Sequence, residues 1–405
     1  MKIISNNPLS KSDRIDELDI FRGFAILGIF MVNILVMNVS FSYRADWEAE
    51  QTGWLQQLSF FLLETFFYSK FFTMFSFLFG IGVALQIQRA RQKGLYSTTF
   101  FLRRFGSLFL FGVLHITLIW SGDILHIYGM LGFILLFLFQ FSARTILWIA
   151  IVVFFFPFYY LIFEQLVEWL SFDYKAPLAT LSREEIVELK HHGSYWSGII
   201  LRLKEYIFAM GLIFSAVTPI ALSMMLLGGY IVKKGWLDNL YERIIKIKLY
   251  FFITLFILLI YRFLILYWIL PTYEIEQGTP LFAILVTIFQ FADVLITLFL
   301  LWLIVYFWNK GVFIRFLSLL SYVGRMAFSN YILQSVIGYL IMRTFNGHEF
   351  FSTFECILLV IGIYIIQIGL SKMWLSYFKF GPLEWLWRCI SYMKLLPFRR
   401  VEGKD

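Results

Sequence analysis

The chain has 405 residues, 60% of them hydrophobic and only 15% charged. That composition excludes a soluble globular domain and places the protein among polytopic membrane proteins. The formal charge of +8 calls for no nucleic-acid partner, because its excess falls in loops that face the inner leaflet under the positive-inside rule.

The start, "MKIISNNPLSKSDRIDELD", is polar and lacks an apolar core with a cleavage site. No removable signal peptide is expected, and the first hydrophobic run stays as a helix. Apolar runs long enough to span occur at roughly 20–40, 58–87, 101–120, 124–142, 145–163, 206–232, 247–270, 281–308, 317–342 and 351–371, at about 20 residues per span. The pattern predicts an all-α, polytopic membrane helical bundle of about ten transmembrane helices, one unit over 1–405. The second run is broken near Tyr68-Ser69-Lys70, as a tilted helix or a short interfacial piece would be.

The loops alternate in charge. Gln88 to Arg104 carries Arg89, Arg91, Lys93, Arg103 and Arg104 and no acid. Lys233, Lys234, Arg243, Lys246 and Lys248 follow the sixth run, and Lys310 and Arg315 the eighth. The intervening loops are acidic or mixed, with Asp46, Glu48 and Glu50, then Asp123, then Glu274 and Glu276. Both termini are therefore expected in the cytoplasm. Residues 164–205 read as an extracytoplasmic loop with a short helix, announced by Ser182 and Glu185 in a capping-box pattern. Residues 372–405 read as a basic interfacial tail on the cytoplasmic side. Cys356 and Cys389 read as free thiols, and no metal site is expected.

Ionisable groups inside spans are costly and mark candidate sites. Asp19 and Arg22 are three apart at the start of the first span, where they can pair locally or Arg22 can take a phosphate; Gly23 beside them permits close helix approach. Asn33, deeper in that span, needs a hydrogen-bond partner. In "RRFGSLFLFGVLH", Arg104 and His115 are eleven residues apart, so they share one helix face about 16 Å apart. Arg104 would hold an anion at the cytoplasmic mouth and His115 would act deeper as a general base; a histidine satisfied by a neighbouring helix is the plainer reading. Asp123 and His126 are neighbours on the next helix. Asp123 reads first as a cap, and His126 reads equally as a site residue or a structural partner. Arg262 and Asp293 read as an intramembrane structural pair. Asn330 and Gln334 share a helix face, where they line a pocket or bind helices together. Small residues at Gly80, Ala84, Gly228 and Gly229 suit close packing within the chain or in a homo-oligomer.

No Walker loop, nucleophile elbow or metal-spaced histidine cluster is present in the sequence. The segments "RIDELDIFRGFAILGIFMVN", "KFFTMFSFLFGIG", "RRFGSLFLFGVLH…GDILHIYGMLG", "GRMAFSNYILQS" and "GPLEWLWR" together resemble the YeiB-like family of bacterial inner-membrane proteins, a family of unknown function. More remotely, the chain is similar to the transmembrane acyltransferases, which include the heparan-glucosaminide N-acetyltransferases and the carbohydrate O-acyltransferases. Leu18, Asp19, Arg22 and Gly23 match their L-D-x-x-R-G opening, and Arg104 and His115 match an arginine–histidine spacing of the O-acyltransferases, with Arg103 an adjacent alternative. The resemblance implies that an acyl group passes from acyl-CoA, a co-substrate rather than a tightly bound cofactor, to a hydroxyl or amine of a small-molecule or glycan acceptor. Under it His115 is the base, Asp19 orients Arg22, and Arg104, Arg22 or Arg103 hold the phosphates of CoA. The remaining acyltransferase positions have no visible match, and no soluble acceptor-binding domain follows the bundle. A small-metabolite carrier is the alternative, with Asn33, His126, Arg262 and Asp293 lining its path.

Overall fold

The computed structural model describes residues 16–238, 240–273, 279–345 and 348–400. Glu274 and Glu276, and the polar stretch before Asp16, lie outside the described residues. The chain is an all-helical polytopic membrane bundle. Among the described residues, six helices are long and apolar enough to cross a membrane, or eight when each of two bent pairs counts as one span. Their outward faces carry large apolar side chains, such as Val152, Phe256 and Ile365, each more than 60% exposed. Such faces suit lipid rather than water.

In chain order the principal helices are α1 (Asp16–Asn38), α2 (Trp54–Phe66), α3 (Lys70–Gln92), α4 (Thr98–Leu118), α5 (Leu125–Leu138), α6 (Ala143–Phe155), α7 (Tyr159–Trp169), α8 (Arg183–His191), α9 (Tyr195–Phe208), α10 (Met210–Lys233), α11 (Lys248–Leu264), α12 (Pro280–Asn309), α13 (Ile314–Arg325), α14 (Ala327–Thr344), α15 (Thr353–Tyr377) and α16 (Pro382–Tyr392). The difference from about ten expected spans has local causes. The run at 145–163 is split around Pro157, which denies the helix a donor and turns α7 by 70° from α6. The run at 317–342 is split at Met326 into α13 and α14. The run at 124–142 yields only the 14 residues of α5. The break near Tyr68 is a turn with Ser69 in the left-handed region, between α2 and α3.

Glycine sets the closest crossings. A Cβ at Gly23 would lie 2.0 Å from the Leu320 carbonyl oxygen, and one at Gly324 would lie 1.8 Å from that of Asp19. Helices α1 and α13 therefore touch backbone to backbone at a pair of facing glycines. The same device joins α3 to α10 through Gly80 and Gly228, as small-residue packing in membranes requires. Helix α8 begins with the Ser182–Glu185 capping box. The start of α14 is capped from a distance: the Glu384 carboxylate of α16 accepts from the backbone N–H groups of Phe328 (2.7 Å) and Ser329 (3.1 Å) and from the Ser329 hydroxyl. An acidic group there satisfies free helix N–H groups and faces the positive end of the helix dipole.

Candidate functional site

The last turn of α4 brings His115 to the loop that leads into α5. Asp123 in that loop is the hub of the site. Its Oδ1 accepts from His115 Nδ1 at 2.8 Å, and its Oδ2 accepts from His126 Nδ1 at 2.9 Å and from the His126 backbone N–H at 2.9 Å. The Tyr206 hydroxyl, on α9, then donates to His126 Nε2 at 2.9 Å. Asp123, His115 and His126 are 5%, 2% and 6% exposed, so water does not compete for these bonds. The capping role expected of Asp123 is present, and the same carboxylate also orders two imidazoles.

Gly112 makes the arrangement fit. A Cβ there would lie 2.2 Å from the His126 nitrogen and 2.6 Å from Asp123 Oδ2, so a side chain one turn before His115 would push the Asp123 turn away. The outcome for His115 is specific. Its Nδ1–H is committed to Asp123, while its Nε2 is buried and has no hydrogen-bond partner among the described residues. Its ring packs 5.4 Å from Tyr331 of α14 and 6.4 Å from Trp120. A neutral histidine held this way presents a bare lone pair, the state a general base needs.

Arg104 stands at the other end of α4. Its guanidinium lies 3.7 Å over the Trp387 ring, and its carbonyl accepts from Trp387 Nε1 at 2.8 Å. The charges of Arg22 and Arg388 bear on it, which gathers three arginines at this end. Arg22 also donates to Asp19 at 3.1 Å. Arg103, one residue earlier, has a buried Nε without a partner among the described residues. Between the ends the shared face is filled by rings: Trp387 is 6.0 Å from Phe328, and Phe328 is 5.4 Å from Phe111. Arg104 and His115 thus terminate one aromatic-lined stripe without touching.

The other candidates separate into two groups. Asn330 Nδ2 donates to Ser371 at 3.0 Å and Gln334 Nε2 donates to Gln367 at 2.9 Å, which ties α14 to α15. Asn33 is half-buried and makes no side-chain hydrogen bond among the described residues. Arg262 pairs with Asp293, and the cluster is larger than a pair: Lys70 Nζ lies 2.9 Å from Asp293 Oδ1, and Arg262 Nη2 lies 2.9 Å from Glu64 Oε1. Lys70, Arg262 and Asp293 are almost wholly buried. Two cations thus meet two carboxylates, and the cluster has no net charge. Lys70 and Tyr206 escape a reading by spacing because their partners are far away in sequence. Glu384 sits visibly in "GPLEWLWR", but nothing local says that it caps another helix.

The chain is 28% identical to the Uncharacterized protein YxaH of Bacillus subtilis, over 98% of each chain. It is 28% identical to an uncharacterized 39.9 kDa protein of Bacillus acidopullulyticus, over 98% of this chain and all of the other. It is 24% identical to the Uncharacterized protein YeiB of Escherichia coli, over 92% of this chain and 95% of that one. The model of a family described as protein of unknown function (DUF418) matches residues 231–394. The chain is YeiB-like along its length. The family match takes in Arg262, Asp293, Asn330, Gln334 and Glu384 of this YeiB-like protein and stops short of Arg104, His115 and Asp123. No solved structure matches it.

Proposed function

We propose that the protein is an integral membrane acyltransferase of the bacterial cytoplasmic membrane, moving an acyl group from acyl-CoA to a hydroxyl or amine. The observation that carries this reading is the buried His115, with Nδ1 fixed by Asp123 and Nε2 bare. In the reaction, His115 Nε2 takes the proton of the acceptor hydroxyl or amine as that group attacks the thioester carbonyl. The carbon–sulfur bond breaks, and the thiolate of CoA leaves and recovers the proton from His115. Asp123 stabilises the imidazolium that forms between the two steps. Arg104, with Arg22 and Arg388, supplies the positive end for the CoA phosphates. The pantetheine arm would have to run along the aromatic stripe of α4 toward His115. Calorimetric titration of acetyl-CoA and longer acyl-CoAs into the purified protein tests the donor half. Micromolar binding that Arg104→Ala removes is the expected result. No binding by a folded, monodisperse wild type contradicts the reading.

A carrier is the second reading, and the buried Lys70–Asp293–Arg262 cluster, with the half-exposed Glu64 at its edge, favours it, because paired charges inside a bundle mark ion and substrate pathways. It predicts uptake or export by reconstituted vesicles that Asp293→Asn abolishes and His115→Gln leaves intact.

A further inference from the structure

At the end of the bundle that holds Asp123, a small open cleft of about 50 Å3 lies between α9, α14 and the end of α8. Its charged lining is lopsided. Lys190, Arg202 and Arg343 face it with a single carboxylate, Glu205. Glu205 is already engaged: it accepts from Ser40 and Ser121, each at 3.0 Å, and pairs with Lys190 at 3.0 Å. Three cations against one carboxylate leave an excess of two positive charges.

Arg202 is the telling residue. It is only 6% exposed. Its Nε donates to the Thr117 carbonyl at 2.9 Å, two residues from His115, but its Nη2 is buried with no hydrogen-bond partner among the described residues. Tyr195 and Tyr339 lie 5.4 and 5.7 Å from its guanidinium carbon and offer ring faces rather than an anion. A guanidinium buried to this extent without a carboxylate is costly unless something supplies the charge. The cleft adjoins the candidate site, with Trp120 between them: it lines the cleft and packs against His115.

We propose that this cleft binds an anionic group, a carboxylate or a phosphate, with Arg202 as its main contact and Arg343 as a second. The anion site stands on its own; taking its ligand as the acyl acceptor rests on the proposed acyltransferase function. Under that function the acceptor is an acidic molecule that enters from the end of the bundle opposite Arg104.

The test uses the full chain in phosphatidylcholine nanodiscs, titrated with glucose 1-phosphate, glucuronate and, as a neutral control, glucose. The expected result is saturable binding of one of the two anions, weakened at least tenfold in Arg202→Gln and weakened by added salt, with none for glucose. A lipid headgroup as source is tested by replacing part of the lipid with phosphatidylglycerol. In that arm the thermal midpoint rises in the wild type and not in Arg202→Gln. A response in either arm supports the site and says whether the anion is soluble or lipid-borne. Arg202→Gln also disturbs the Thr117 contact, so Arg343→Gln is measured beside it, with the same direction expected. No response in either arm, equal binding of glucose, or binding indifferent to both substitutions overturns the proposal. Acetyl-CoA binding without anion binding removes this inference alone; anion binding without acetyl-CoA binding keeps the cleft and removes the transferase.

Discussion

Asp123 does three things with one carboxylate: it caps α5, orients His115 and orients His126. Asp123→Asn keeps the shape but offers only one acceptor oxygen and no charge, so His115 Nδ1–H is no longer held and the imidazolium is no longer stabilised. Turnover measured on purified Asp123→Asn is expected to fall on the order of a hundredfold or more, within the general acid–base range. Asp293 makes a different kind of demand. Asp293→Ala leaves Lys70 and Arg262 buried with Glu64 as their one carboxylate, and breaking such a pair costs about 3–5 kcal/mol. Thermal unfolding should show that loss. His348, in the loop before α15, is pushed well below its ordinary range by burial first, and then by the positive Lys190 and His191. Below about pH 6.5 the unfolded chain protonates this histidine while the folded one resists. His348 therefore stabilises the fold above that pH and the contribution is lost as pH falls. The unfolding midpoint is expected to drop more steeply below pH 6.5 in wild type than in His348→Gln.

Helices were legible wherever the apolar pattern was long; of their interruptions the break near Tyr68 was legible, and those at Pro157 and Met326 were not. Pro157 carries a local signal, but the cap on the helix that restarts after Met326 comes from Glu384, which is far away in sequence and reaches across from α16. Glu384→Ala should cost about 1–2 kcal/mol, the scale of a lost helix cap, measured as a lower unfolding midpoint with no change of oligomeric state. Gly23 was legible as a point of close approach, although its partner Gly324 was not, because pairing of helices distant in sequence leaves no local trace. Substituting Gly324 with leucine would drive a side chain into the Asp19 carbonyl and separate α1 from α13. The spacing of Arg104 and His115 was legible too, whereas the bond from His115 to Asp123 required the turn that only the fold supplies.

For the whole molecule, composition and loop charge already specified a membrane bundle with a basic end and a mixed end. Within the described residues, Arg22, Arg104 and Arg388 gather at one end and Asp123, Glu205 and Arg202 at the other. If the basic end is cytoplasmic, Lys93→Cys labels with a membrane-impermeant maleimide only from inside and Glu184→Cys only from outside; the native Cys356 and Cys389 are buried and leave a low background. Under the proposed acyl transfer, this polarity would place a donor held by the arginines at one end and the base at the other. The most direct measurement is release of free CoA thiol from acetyl-CoA by the purified protein, with glucuronate and glucose 1-phosphate offered as acceptors, for wild type and His115→Gln. Acceptor-dependent release that falls on the order of 10²–10⁴-fold in His115→Gln, with acetyl-CoA binding unchanged, is the predicted result. Release that His115→Gln leaves intact would contradict the account.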